Sequence, residues 1–325
     1  MSLATRGGPV KFFCEDAAGL CGEKPNLQNY KFIPFLERIN LRRTEARRSL
    51  LVQVQSAQSF KELHTYCNSL GTVKYMFHYT VGMEPLHFII VEFANESDVS
   101  NILSASSFIE ENTTIPTQSQ FLWFRASNRK LAKLKQSKSA ILSAENGTRL
   151  FNEEEINSAL NSCKNVSEQM QELYNMTKLN DTGTRLRYLT ARQIENAVYG
   201  MFPYASAYPF GSSVNGFGKM DCDLDLVLRL VDKKINKDSR LIFHCKAPSG
   251  SERTVSQRHM ESVGDLIHFF LPGCTNVRRI LQARVPIIKY HQQLTDIECD
   301  LSMSNMSGVH MSDFFVHNGR MGSPS

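Results

Sequence analysis

Apolar positions along residues 49–125 follow two alternating periods. Ser49–Gln55 (SLLVQVQ) is nearly continuous in apolar and strand-forming residues and reads as a strand. Ser59–Leu70 places Phe60, Leu63, Cys67 and Leu70 three and four apart, which predicts one face of a helix, and Gly71 follows as a stop. Val73–Val81 is a second strand, punctuated by Gly82-Met83-Glu84-Pro85, and Leu86–Phe93 is a third. Asn95 or Ser97 caps a helix from about Asp98 to Leu103, and Phe121–Phe124 closes the set. Past residue 151 the helical period dominates. Asn152 precedes an acid-rich first turn, Glu153-Glu154-Glu155, where the helix dipole favours negative charge. Ile156, Leu160, Cys163, Val166, Met170, Leu173 and Tyr174 then form an apolar stripe expected to face the core. Thr184–Tyr199 is a further helix with Leu186, Leu189, Ile194 and Val198 inward, broken by Phe202-Pro203-Tyr204. Ala205–Phe210 is a strand, and a strand over about Asp296–Met303 has Ile280–Tyr290 as its expected hairpin partner.

These elements divide the chain. Residues 1–45 read as a tail, 46–125 as a first domain, 126–150 as a basic linker, 151–310 as a second domain and 311–325 as a terminal tail. The β-α-β-β-α-β order of the first domain resembles the RNA-recognition-motif fold, a ferredoxin-like split βαβ. Such modules stack bases on aromatics of the two central strands. Here Phe88 stands at a stacking position, Ile90 takes the other, and the first strand offers Leu51, Val52 and Val54 where an aromatic belongs. The resemblance is therefore to the fold and not to sheet-face RNA binding. An aliphatic sheet face implies a protein contact instead, such as a dimer interface.

Composition narrows the class only modestly. The 325 residues suffice for two cores, and the net charge of +5 permits nucleic-acid binding without demonstrating it. The run Arg38, Arg42, Arg43, Arg47 and Arg48 suits either a phosphate-contact patch or a solvated helix face. Arg129, Lys130, Lys133, Lys135 and Lys138 repeat that ambiguity in the linker. Leu86–Phe93 is among the longest apolar runs and far short of a membrane span. Eight scattered cysteines include no CxxC, so neither a zinc site nor a redox pair is indicated. Residues 1–13 lack acids and carry Arg6 and Lys11, a composition compatible with an organelle-targeting segment.

The chemistry concentrates between Phe210 and Leu226. In a strand, residues two apart share a face. Asp221, Asp223 and Asp225 would crowd one side while Cys222, Leu224 and Leu226 take the other. Like charges so close repel unless a cation neutralises them, and an all-oxygen donor set favours Mg²⁺. The Gly211-Ser212-Ser213 corner ahead of them exposes backbone N–H groups and hydroxyls that suit a phosphate. A phosphate corner beside metal-binding carboxylates points to nucleotide chemistry.

Phe210-Gly211-Ser212 followed by Asp223-Leu224-Asp225-Leu226, with Cys299-Asp300-Leu301 downstream, resembles the polymerase-β-like nucleotidyltransferase superfamily. Tyr208–Asn215, Cys222–Asp225, Thr184–Thr190, Pro272-Gly273-Cys274 and Ile280–Arg284 are similar to its mitochondrial poly(A) polymerase branch. The resemblance covers about residues 45–310. It implies an α+β / α/β chain, with the RNA-recognition-motif-like domain followed by a nucleotidyltransferase palm. It further implies an enzyme that transfers AMP from ATP to RNA 3′ ends in mitochondria, and a homodimer formed through the N-terminal domain. Asp223, Asp225 and Asp300 would hold two Mg²⁺ (or Mn²⁺) ions, and Gly211, Ser212 and Ser213 the β- and γ-phosphates of ATP. Asp221 is expected at the surface beside the site. Terminal uridylyltransferases share every motif quoted. Family members continue past the third acid with a helical domain that closes the cleft, whereas this sequence stops at Ser325, which raises the alternative of an inactive RNA-binding or dimerisation protein.

Overall fold

The computed structural model describes residues 33–110, 113–116, 119–126, 142–143, 151–230, 251–303 and 306–321. Residues 1–13 and most of the basic linker, including Arg129 to Lys138, lie outside the described residues.

The first half runs α1 (Phe35–Arg47), β1 (Ser49–Val54), α2 (Phe60–Leu70), β2 (Val73–Val81), β3 (Leu86–Phe93), α3 (Glu96–Ser104), β4 (Ser107–Glu110), β5 (Thr113–Pro116), β6 (Phe121–Trp123) and β7 (Leu142–Ser143). The sheet order is β6-β1-β3-β2-β7. β3 is antiparallel to β1 and β2, while β6 runs parallel to β1 and β7 parallel to β2. In a plain split βαβ pair, a strand reached from β3 across one helix would run antiparallel to β1. Here the β4–β5 hairpin intervenes, and β6 enters with the opposite sense.

The stretch expected as a tail contains a helix from Phe35 onward. Phe35, Ile39 and Ala46 fall on one face of α1 and are buried against α6 (Asp181–Val198). The sparse apolar positions among five arginines hid this face from the sequence pattern.

The two faces of the first sheet have different partners. Leu50, Val52, Met76, Ile89, Val91 and Phe93 pack under α2 and α3. Leu51, Tyr79, Phe88 and Ile90 instead join the core of the second half. Phe88 is 1% exposed and Ile90 0%, and the Tyr79 phenol donates to the Leu294 carbonyl at 2.7 Å. The face expected to be open for a partner is therefore closed inside the chain. It can neither stack bases nor receive a second copy.

The second half runs α4 (Glu153–Asn161), α5 (Val166–Thr177), α6, β8 (Ser206–Phe210), α7 (Ser212–Asn215), β9 (Leu224–Arg229), α8 (Glu252–Phe270), β10 (Cys274–Ile280), β11 (Ile287–Gln292), β12 (Ile297–Met303) and α9 (Ser307–Met321). Its sheet order is β10-β11-β12-β9-β8, with β12 parallel to β9 and the other pairs antiparallel. Three expectations change. The partner hairpin strand of β12 is β11, and Ile280 to Pro286 spans the end of β10 and the turn. Residues 311–321, expected in the terminal tail, continue α9. The apolar stripe from Ile156 to Tyr174 is split between α4 and α5, because the Asn165 side chain accepts from the Glu168 N–H and starts a new helix. That stripe is not core: Val166 is 68% exposed and Met170 69%.

Ion pairs join the halves. Buried Glu92 of β3 accepts from Arg48 and from Arg185 of α6, each at 2.6 Å. Arg42 meets Asp181 and Arg43 meets Glu195, both at 2.7 Å. Arg185 and Arg43 also lie 4.3 Å above the Phe77 and Tyr208 rings. Three of the five arginines of the basic run are thus committed to acids inside the chain. Among the described residues, no helix is long and apolar enough to cross a membrane.

Candidate active site

Strand register assembles the site. Phe210 pairs with Asp225, Asp225 with Asp300, and Asp300 with Lys289 across β8, β9, β12 and β11. Neighbouring strands lie about 4.8 Å apart, so the two carboxylates and the ammonium form one row across the sheet. Asp223 sits two residues before Asp225, just outside β9, and is exposed. The sheet thus brings Asp225 and Asp300 together directly, with Asp223 at the mouth of the same face.

The corner between β8 and α7 explains its glycine. Gly211 has φ +67°, a region L side chains rarely adopt, and a Cβ there would lie 2.7 Å from Asp225 Oδ2. Its N–H donates to Ser312 Oγ of α9 at 2.8 Å, and the Ser312 hydroxyl donates to the Gly308 carbonyl at 2.8 Å. Gly211 therefore contributes shape, and its donor is already used. Ser213 is turned inward and buried. Its hydroxyl accepts from Arg187 Nε at 3.2 Å and donates to the Asp223 carbonyl at 3.4 Å. Of the three residues expected at phosphate, Ser212 keeps a half-buried hydroxyl with no hydrogen bond among the described residues.

Two further residues at this site had no signal in local spacing. Arg187 of α6 is 2% exposed, and its guanidinium spans the site's underside. It donates to the carbonyls of Gly183 (3.3 Å), Met220 (3.2 Å) and Cys222 (2.7 Å) as well as to Ser213. One side chain thereby ties the phosphate corner to the start of the carboxylate strand. Lys289 Nζ donates to Asp300 Oδ2 at 3.0 Å and lies 2.9 Å from Oδ1. The alternation of β11 could have placed Lys289 on the Asp300 face once the pairing was known. Asp221 stays outside the row, exposed and paired with Lys219 at 3.1 Å.

The electrostatics show one ammonium against three carboxylates. Burial first, then the Asp300 and Asp223 carboxylates, raise the Asp225 carboxyl above its ordinary value, and Lys289 offsets part of that. Asp300 Oδ1 is buried yet accepts no hydrogen bond of good geometry. Excess negative charge, and a buried Asp300 Oδ1 whose contact with the Lys289 ammonium is not a well-aligned hydrogen bond, fit a hard divalent cation. No three such side chains stand gathered as a ready metal cage among the described residues. Asp300 is held by Lys289 and Asp223 is exposed, so a shift of those side chains would accompany cation binding.

A mixed sheet carrying a Gly-Ser corner on one strand and paired carboxylates on the next two defines a nucleotidyltransferase palm domain. Residues 166–317 match the family described as "Poly(A) RNA polymerase, mitochondrial-like, central palm domain". A Drosophila melanogaster protein described as mitochondrial poly(A) RNA polymerase is 44% identical over 324 residues, 96% of this chain and 52% of its own length. The human protein of the same description is 29% identical over 300 residues, 89% of this chain and 49% of its own. The chain spans about half the length of the curated relatives it matches. Among solved structures, mtPAP in complex with UTP matches with a TM-score of 0.76 at 28% identity, covering 89% of this chain and 60% of that one. The complex of mtPAP with ATPγS matches at 0.74, with 28% identity, 88% of this chain and 60% of that one. These coverages exceed the palm, so the likeness extends into the N-terminal half.

Proposed function

We propose that this chain is a mitochondrial RNA 3′-adenylyltransferase, transferring AMP from ATP to the end of an RNA strand. The observation that carries this is the cross-strand row of Asp225 and Asp300 beside the Gly211–Ser212 corner. Asp223, Asp225 and Asp300 would hold Mg²⁺ or Mn²⁺. Bound there, the ions neutralise the triphosphate and lower the pKa of the attacking hydroxyl. The RNA 3′-oxygen attacks the α-phosphorus, the bond to the β-phosphate breaks, and pyrophosphate leaves. Ser212 orients phosphate oxygens at the corner. Arg187 keeps the corner and the carboxylate strand in register. Lys289 balances Asp300 and, once displaced from it, faces the same cleft with a free ammonium.

Homologous names support adenylation and the mitochondrial setting. The base is less constrained, because mtPAP is also described in complexes with GTP, UTP and CTP. Dimerisation through the N-terminal domain belongs to the same proposal. With the inner sheet face closed, it would use the β6 edge or outer surfaces, and light scattering after gel filtration measures it. The functional test uses the purified chain, an oligo(A) primer, Mg²⁺ or Mn²⁺ and each nucleoside triphosphate in turn. ATP extension that Asp223→Ala abolishes is expected. Extension with UTP alone would make the chain a uridylyltransferase. No extension with preserved self-association would make it a binding protein.

A further inference from the structure

Arg47, at the end of α1, has a guanidinium that finds no acid among the described residues. It lines an open cavity of about 520 Å³ with Arg192, Glu195, Tyr199, Tyr204 and Ser206, between α1, α6 and the entry to β8. We propose that this cavity is a second phosphate site, taking a backbone phosphate of single-stranded RNA; the inference rests on the reading of RNA as substrate.

Charge supports an anion here. The one carboxylate in the lining, Glu195, is saturated: Oε1 accepts from Arg43 at 2.7 Å and from the Ala207 N–H at 2.9 Å, and Oε2 accepts from Arg192 at 3.0 Å. Two guanidinium groups of the lining, Arg47 and Arg192, therefore stand beside one spent carboxylate, with exposed Glu96 4.0 Å from Arg192 at the margin. Arg47 Nε and Arg192 Nε are both buried and without a hydrogen-bond partner. Those Nε atoms are covered, whereas the terminal nitrogens of Arg47 are neither buried nor hydrogen-bonded among the described residues, so they are the donors left for acceptor oxygens in the cavity. A phosphodiester supplies such oxygens, and arginine is the side chain best shaped for them.

The surroundings favour RNA over a free nucleotide. Tyr199 is 66% exposed and Tyr204 50%, so two aromatic residues offer surface beside the guanidinium groups. Adjacent stacking platforms and a basic groove are the means by which single strands are held. Ser206 opens β8 and Gly211 follows its end, which separates the cavity from the catalytic corner by about 17 Å at the usual strand rise. The cavity therefore lies too far away to serve the nucleotide at that corner. Because β8 is an edge strand, a chain held at one end of it can run along the edge to the other.

The test reads binding without catalysis. Fluorescein-labelled oligo(A) is titrated with the 325-residue chain across a salt series, without divalent ions or nucleotide. Arg47→Glu is expected to raise Kd at least tenfold and to shrink the slope of log K against log salt by about 0.7 for each phosphate no longer held. Arg47→Lys should restore much of the affinity. Tyr204→Ala should weaken binding several-fold without changing the slope. Melting temperatures report folding, and Arg47→Gln replaces Arg47→Glu if the charge reversal unfolds the chain. Unchanged RNA affinity in a folded Arg47 variant would overturn the proposal. So would loss of ATP binding, followed with a fluorescent ATP analogue, in place of RNA binding. Displacement of the oligonucleotide by low-millimolar inorganic phosphate would mark a free-phosphate site and overturn the assignment to RNA. A parent chain that binds oligo(A) through Arg47 yet extends nothing would sink the adenylyltransferase proposal and leave this site standing.

Discussion

Asp225 bears the strongest conflict in the site, because strand register sets Asp300 beside it, chain spacing sets Asp223 two residues before it, and burial removes water that would screen them. Replacing it by Asn removes one repelling charge while leaving the backbone bonds of β9 intact. The melting temperature of Asp225→Asn without metal is therefore expected to equal or exceed that of the parent. Mn²⁺ should stabilise the parent by about 2.7 kcal/mol at a hundredfold excess over Kd and leave the variant unmoved. Equal stabilisation of both would show that the cation binds elsewhere. Arg187 is the complementary case. Arg187→Met strands the partly buried carbonyls of Met220 and Cys222, and a loss of about 2–4 kcal/mol is expected in chemical denaturation. A denaturation midpoint equal to the parent's would remove Arg187 from the role given to it. The Gly211–Ser212 corner and the Asp223–Asp225 pair stood out through short-range spacing, whereas Asp300, far along the chain, stood out only through the family resemblance. Arg187, Lys289 and the inward turn of Ser213 did not, since they depend on which distant segments the fold brings together.

At the scale of elements, the sheet face carrying Tyr79 and Phe88 decides how the halves relate. Tyr79→Phe removes one buried hydrogen bond to the Leu294 carbonyl and should cost about 1 kcal/mol. Phe88→Ala should cost about 3–5 kcal/mol, the range for emptying a core aromatic site. A near-neutral Phe88→Ala would mean that the two halves do not pack as described. Asp181 adds a pH dependence. Burial alone would raise its carboxyl, but the Arg185 and Arg42 guanidinium groups outweigh burial and hold it below the ordinary value. Its contribution is therefore fully present above the ordinary carboxylate pKa of about 3.9 and lost as pH falls through the lower folded value. Asp181→Asn should cost about 1 kcal/mol at pH 7, a modest figure for a partly exposed pair. The gap between variant and parent should close below about pH 4 in urea titrations, and a gap that persists there would refute the pairing. β1, β2, β3, β6, β8 and β12, with α2 and α6, were readable from residue pattern, whereas β4, β5, β7 and β10 were not. The opposite sense of β6 was not, since it arises from an inserted hairpin. Nor was the exposure of the α5 stripe, because periodicity reports an apolar face without reporting what covers it.

For the whole molecule, one apolar cluster runs from Leu51, Tyr79 and Phe88 through α6 to Leu226, Tyr290 and Leu301. The halves that looked like separate domains in sequence therefore share a core and a buried ion-pair junction at Glu92. Calorimetry should show a single cooperative unfolding transition with matching calorimetric and van't Hoff enthalpies, whereas two resolved transitions would contradict the shared core. The shared core also gives the palm a fixed neighbour, which keeps α1 and its Arg47 cavity in a set position relative to β8. The central claim is that Asp223, Asp225 and Asp300 form a nucleotidyl-transfer centre. Primer extension of oligo(A) with ATP and Mg²⁺ tests it most directly, comparing the parent with Asp225→Asn at equal melting temperature. Extension by the parent and a loss of at least about a hundredfold in the variant, as expected when transition-state charge loses its neutralising group, is the predicted result. Equal extension rates in the two, or none in the parent, would contradict it.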